Sequence, residues 1–232
     1  MEWFTVWWAD IVATFYKCFI KNARYTLLLD GIGVTIKVSL LSICIGLVIG
    51  FFIALCSLSK RKGVRAIGKV YTDVIRGTPS VTQLMIIYFV VFATVNIDKW
   101  IIASIAFGIN SGAYISEIIR AGILSIDKGQ TEAGRSLGLN GSQTMCYIIA
   151  PQAIKNIFPA LCNEFITLIK ETAIVGYVGL MDIQKAGDFI KSDTFNAFMP
   201  LVGTAVIYFV LIKVLTLVLG KLEAHLRKSE KR

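Results

Sequence analysis

Scored by apolar and polar positions, the chain falls into long apolar blocks separated by short charged ones. The blocks occupy residues 33–58, 70–95, 100–119, 158–180 and 199–219. Each reaches the roughly 20 residues that a helix needs to cross the hydrocarbon of a bilayer. Polar residues inside the second, third and fourth blur their edges. The first 30 residues follow another pattern: Trp3, Phe4, Trp7, Trp8, Phe15, Tyr16 and Phe19 alternate with Asp10, Lys17, Lys21 and Arg24. Such an aromatic, amphipathic stretch predicts a helix lying in the membrane interface, with a short extra span as the rival reading. The pattern therefore predicts an all-α integral membrane fold: five transmembrane helices preceded by an interfacial amphipathic N-terminal helix. It divides the chain into an interfacial segment at 1–30, a transmembrane domain at 31–222 and a basic tail at 223–232.

Composition supports this division. The 232 residues are 56% hydrophobic, with a mean hydropathy of +0.70, too apolar for a soluble domain. The formal charge of +9 would suit a nucleic-acid partner, but its distribution argues against one. Basic residues gather where the apolar blocks end. Lys60, Arg61, Lys62, Arg65 and Lys69 follow the first block; Arg120, Lys128, Arg135 and Lys155 follow the third; Lys221, Arg227, Lys228, Lys231 and Arg232 follow the fifth. The alternate connections hold only Lys99, Lys185 and Lys191, diluted by Asp98, Asp182, Asp188 and Asp193. The positive-inside rule then predicts the N-terminus outside, the C-terminus in the cytoplasm, and the 125–156 loop in the cytoplasm. Lys37, inside the first block, is placed to snorkel toward its end.

Metal and redox chemistry find little support. The five cysteines (Cys18, Cys44, Cys56, Cys146 and Cys162) show no CxxC or Cys/His spacing and read as small buried thiols. His225, the only histidine, lies in the basic tail. Glu2 and Asp10, with no basic region before them, do not make a secretory signal.

Polar side chains inside spans are costly in hydrocarbon and so point to function. Three helical faces carry them. Asn110, Tyr114 and Glu117 are spaced i, i+4, i+7 on the third span. Glu164, Thr167 and Glu171 form a stripe on the fourth, flanked by Asn163 and Lys170. Thr72, Arg76, Pro79 and Gln83 share a face on the second. Arg76, Glu117, Arg120, Lys170 and Glu171 read as structural groups that satisfy one another, with Arg76 or Arg120 pairing Glu117. Glu164 stands apart, because its span offers no local cation. It reads as a pathway carboxylate, near Asn110 and Gln83, able to meet a substrate ammonium or guanidinium.

The 125–172 stretch is polar and punctuated by glycine. Glu132-Ala133-Gly134 puts small residues on one helical face, where a partner can approach closely. Gly138 suits a helix stop, and Ser142 is placed to cap a second short helix at 143–149. Two short helices exposed on one side of a membrane make a docking element rather than a catalytic one.

Glu132-Ala133-Gly134, three residues, Gly138, nine residues, then Ile148-Ile149-Ala150-Pro151 resembles the EAA loop of ABC importer membrane subunits. Gly134 stands where that pattern has its second alanine, and Ala150 where it has leucine. Around it, residues 71–79 ending in Arg76-Gly77-Thr78-Pro79, residues 113–120, Lys128-Gly129-Gln130, Pro151-Gln152-Ala153 and Lys170-Glu171-Thr172 are similar to the polar amino acid permeases. The likeness runs over about residues 25–220. It implies a multi-pass permease subunit of the bacterial plasma (inner) membrane, with residues 31–222 as the transporter domain and 121–157 as its cytoplasmic coupling loop. Glu132, Ala133, Gly134, Arg135, Leu137 and Gly138 would couple to a separate ATPase. Gln83, Asn110, Tyr114, Glu117, Asn163, Glu164 and Thr167 would line the path of a polar amino acid, and residues 163–166 with 170–173 resemble the branch that carries basic ones. The implied partners are a second permease subunit (identical or a sister), ABC ATPase subunits, an extracytoplasmic amino acid-binding protein and membrane lipid, with no nucleic acid.

The resemblance implies no catalytic site, cofactor or metal in this chain; ATP and Mg would be used by the partner ATPase. Gly63 to Val70 nearly spells a phosphate-binding loop, but Val70 stands where a magnesium-binding hydroxyl is needed and no strand precedes it. A secondary transporter or channel is the rival function; its matching halves are absent from an odd span count.

Overall fold

Long apolar blocks become long helices. The computed structural model describes residues 2–227; Met1 and 228–232, which include Lys228, Lys231 and Arg232 of the expected basic tail, lie outside the described residues. In chain order the helices are α1 (Glu2–Phe15), α2 (Tyr25–Leu58), α3 (Lys62–Arg76), α4 (Ser80–Ile86), α5 (Lys99–Leu124), α6 (Lys128–Ser136), α7 (Gly141–Thr144), α8 (Ala150–Glu171), α9 (Ile183–Thr194) and α10 (Phe198–Arg227). Short π-helical turns follow α1, α4 and α7, and a 3-10 stretch, Thr172–Val178, follows α8.

Three helices, α2, α5 and α10, are long and apolar enough to cross a membrane. A fourth crossing is present if α3, α4 and the π turn after α4 are taken as one span bent by 101°. Among the described residues this makes three or four candidates where the sequence predicts five. The block at 158–180 accounts for the difference. Its residues are shared between the end of α8, which carries Asn163, Glu164, Thr167, Lys170 and Glu171, and the 3-10 stretch beyond it. No single helix there combines the required length and hydropathy. At 14 residues α1 is shorter than a crossing requires.

The second block corrects the sequence reading most. Thr72, Arg76, Pro79 and Gln83 do not share one helical face, because the chain breaks at Gly77-Thr78-Pro79 and turns by 101°. Proline lacks the N–H that would continue α3 and disfavours helical backbone in the residue before it. Gly63 and Lys69 of the phosphate-loop near match lie within α3.

The core is the crossing of α2 with α5. In the most apolar window of α5, 67% of residues are buried, against 6% in α10. Two glycines on each helix make the crossing close. A Cβ on Gly108 would lie 2.6 Å from Ile45 Cβ, and one on Gly112 would lie 2.8 Å from Ile49 Cγ2. A Cβ on Gly50 would meet Ile115 Cγ2 at 2.6 Å, and one on Gly46 would meet Ile115 Cδ1 at 3.1 Å. Isoleucines of each helix therefore seat on glycines of the other, at the four-residue spacing that lets membrane helices pack backbone to backbone. Val38, Leu84, Ala103, Ala106, Phe107, Leu168 and Val175 continue this core.

At the end of α5 opposite α6, a polar node closes the bundle. Asp182 is fully buried and caps α9, accepting from the backbone N–H groups of Gln184 (3.1 Å) and Lys185 (3.0 Å) and from the Tyr208 hydroxyl (3.1 Å). Burial pushes its carboxyl above the ordinary range despite these donors, which favour the charged form. Lys37 does not simply reach for water: its ammonium sits 3.7 Å over the Trp100 ring, where the aromatic face supplies the negative potential. All five cysteines are free. Only Cys18 is buried, while Cys44 and Cys146 are exposed, which corrects the reading of them all as buried thiols.

Candidate functional site

The break between α3 and α4 leaves backbone carbonyls at the end of α3 without helical partners. Gln83 supplies them. Its side-chain nitrogen donates to the carbonyls of Ile75 (2.7 Å) and Thr78 (3.2 Å) and to the Thr78 hydroxyl (2.5 Å). Its side-chain oxygen accepts from the buried amide of Asn110 at 2.9 Å. The two amides therefore tie the bend to the centre of α5. Buried amides are stable only when their donors and acceptors are matched, as here.

The α5 stripe continues along the same side. Tyr114, one turn on from Asn110, lies under the Arg76 guanidinium at 5.2 Å. Glu117, a turn further, pairs with Arg120: Nη2 reaches Oε2 at 2.7 Å, and Nε lies 3.1 and 3.2 Å from the two oxygens. Arg120, not Arg76, is therefore the Glu117 partner. This i, i+3 pair is partly exposed.

The other side of α5 meets α8. Ser111 donates its hydroxyl to Glu164 Oε1 at 2.7 Å. Glu164 is half-buried and has no ion pair among the described residues. Two polar contacts thus leave adjacent α5 residues in different directions: Asn110 toward the bend and Ser111 toward the carboxylate. Glu171 is also half-buried, whereas Asn163, Thr167 and Lys170 are exposed on α8. Gln83, Asn110, Tyr114 and Glu117 are thus brought to one side of α5. Asn163 and Thr167 do not join them. Ser111 was missed by sequence reasoning, since a lone serine in an apolar run gives no signal until its partner is known. Asp182 and Tyr208 were missed for the same reason.

The loop after α5 forms an elbow. Asp127 caps α6 by accepting from the Gly129 N–H at 2.7 Å. Gly138, at φ +82°, ends it in the left-handed conformation that glycine adopts without strain. The second cap is Asn140 rather than Ser142. Asn140 accepts from the Gln143 N–H at 2.9 Å while the Gln143 side chain accepts from the Asn140 N–H at 2.8 Å, a reciprocal capping box. Helix α7 then ends at Thr144, and a π turn, Met145–Ile149, carries the chain into α8. Gly134 is buried against this second arm; a Cβ there would lie 2.8 Å from both Ile148 Cδ1 and Thr144 Cγ2. Glu132, Ala133 and Arg135 face outward, and Leu137 is 80% exposed. Arg135 Nη1 also donates to the Leu139 carbonyl at 2.9 Å and braces the elbow.

Comparison with known proteins follows the same outline. Residues 46–228 match the family described as binding-protein-dependent transport system inner membrane component. The arginine transport system permease protein of Bacillus subtilis is 42% identical over 88% of this chain and 94% of its own length. The putative glutamine transport system permease protein of Rickettsia bellii is 41% identical over 88% and 95%. Among solved structures, an amino acid ABC transporter crystallised with histidines superposes with a TM-score of 0.81 at 42% identity, covering 89% of this chain and 98% of that one. An inward-facing methionine ABC transporter superposes at 0.74 with 20% identity, a likeness of fold alone.

Proposed function

Because the chain belongs to the family of binding-protein-dependent transport system inner membrane components, we infer that it is the permease subunit of an amino acid ABC importer, carrying a polar amino acid, basic ones included, through the bacterial plasma (inner) membrane. The observation that carries the coupling part is the α6 elbow. One side of the helix is pressed onto the π turn through Gly134, and the other presents Glu132, Ala133, Arg135 and Leu137 to a partner. An exposed leucine flanked by charges and held by two caps suits a groove on an ATPase subunit. That ATPase would use ATP and Mg; this chain would supply the path.

With three or four candidate crossings among the described residues, one copy would not enclose a path, so the chain would work as a homodimer or with a sister permease. Closure of the ATPases would rock the two halves between outward and inward openings. An extracytoplasmic binding protein would hand substrate to the surface around Asp98 and α9. Along the path, Glu164 offers an acceptor for an ammonium or guanidinium, held in place by Ser111. Gln83 and Asn110 lie about a quarter-turn around α5 from that contact.

The test is uptake of labelled arginine, histidine and glutamine by vesicles holding the chain, its ATPase and its binding protein. Glu132→Arg is expected to abolish uptake and ATPase association together. Normal transport by that variant overturns the coupling assignment. Glu164→Gln is expected to lower arginine uptake at least tenfold, about 1.4 kcal/mol of lost charge recognition, with the complex intact and glutamine uptake spared. Equal uptake of all three substrates returns Glu164 to a structural role.

A further inference from the structure

On the α6 side of the bundle, α3 and α5 enclose a recess of about 310 Å³ whose basic α3 wall the transport reading leaves without a use. Arg65, Lys69, Asp73 and Arg76 line it from α3, and Glu117 and Arg120 line it from α5. Four cations face two carboxylates. Glu117 is already engaged, since both of its oxygens accept from Arg120. Arg76 rests on the Tyr114 ring. Arg65 and Lys69 have no ion pair among the described residues. They stand at i and i+4, with Arg76 at i+11, so one stripe of α3 brings three cations to one side of the recess.

We propose that this recess binds the phosphate of an anionic phospholipid headgroup, in the bilayer leaflet on the side of α6. A phosphodiester offers the oxygens that arginine and lysine recognise through charge-assisted hydrogen bonds, with the planar guanidinium matching two of them. The volume lies at the small end of ligand pockets and suits a headgroup rather than a whole lipid. The same helix argues for a lipid source over a free anion. Ile67, Val70 and Val74, on its side away from the recess, are 62%, 61% and 55% exposed, so α3 carries the opposed basic and apolar faces of a helix at a bilayer interface, where phospholipid headgroups are. A basic recess between membrane helices at that level is a site for an anionic headgroup. A phosphate reaching Arg65 and Lys69 on one wall and Arg120 on the other ties the first half of the bent pair to α5. This assignment is independent of which amino acid is carried and of which compartment α6 faces.

The test uses the assembled permease–ATPase complex, purified in mild detergent and weighed intact by native mass spectrometry after incubation with phosphatidylglycerol or phosphatidylcholine. Wild type is expected to retain phosphatidylglycerol and not phosphatidylcholine. The double variant Arg65→Gln/Lys69→Gln is expected to lose that retention roughly tenfold or more. The swap Arg65→Lys/Lys69→Arg, which keeps both charges, is expected to restore most of it. Assembly with the ATPase in correct proportion shows that each variant folds. Equal retention of the two lipids, or undiminished retention by the double Gln variant, overturns the proposal. Displacement of the lipid by excess inorganic phosphate assigns the recess to a soluble anion and overturns the lipid source.

Discussion

Asp182 caps a helix from a position with no solvent contact, and its carboxyl is pushed above the ordinary range by that burial. The folded chain therefore holds this proton more tightly than the unfolded chain, whose aspartates titrate near about 3.9. The stabilising increment is complete below that value and is lost as pH rises through the raised folded one. Asparagine caps helices as well as aspartate and does not titrate. The midpoint of thermal unfolding of the purified complex should therefore shift against wild type, relative to Asp182→Asn, as pH climbs from about 4. A pH-independent difference would sink this account. Single residues were legible in the sequence when their chemistry was costly in a membrane: Gln83, Asn110, Glu117 and Glu164 all stood out, and all are engaged. Ser111, Tyr208 and Asp182 were not. Serine and tyrosine are ordinary in spans, and the aspartate read as loop charge until α9 folded it under.

At the scale of elements, the α2–α5 crossing depends on what is absent from four positions. Gly108→Val places branched carbons where Ile45 already lies, a Cβ alone falling 2.6 Å from it. Overpacking of this kind typically costs about 1–3 kcal/mol for a single added group, so the larger valine should sharply reduce the yield of folded, ATPase-associated protein. Gly33→Ala, on α2 away from the crossing, meets nothing within 4 Å and should be neutral or gain about 0.5–1 kcal/mol from helix propensity. Equal behaviour of the two variants on a thermal melt would refute the crossing. Helices α2, α5 and α10 were readable because continuous apolar runs need no partner to be recognised. The bend was not: Gly77, Thr78 and Pro79 sat inside an apolar block, and the period-3.6 reading carried straight through them. The paired glycines escaped notice because their meaning lies in the helix opposite.

For the molecule as a whole, the basic loops predict an orientation, and Cys146 gives a direct test of it. It is exposed on the π turn of the elbow, on the side expected to face the cytoplasm. In a chain whose other four cysteines are replaced by alanine or serine, a membrane-impermeant maleimide should label Cys146 in inside-out vesicles. Right-side-out vesicles should remain unlabelled until permeabilised. The opposite pattern would invert the topology and place the elbow away from any ATPase.

The glycine-lined crossing also has a mechanical meaning. Two rods held close, with isoleucines locked onto glycines across the seam, resist bending as one beam. At residues 77–79 the second block has a knee instead, latched by one glutamine. If an ATPase docks at the elbow, as proposed, its push would enter the stiff member first, through α5, and would reach the knee as rotation. The stroke would then be set by the geometry of the beam and released where a single amide lets go.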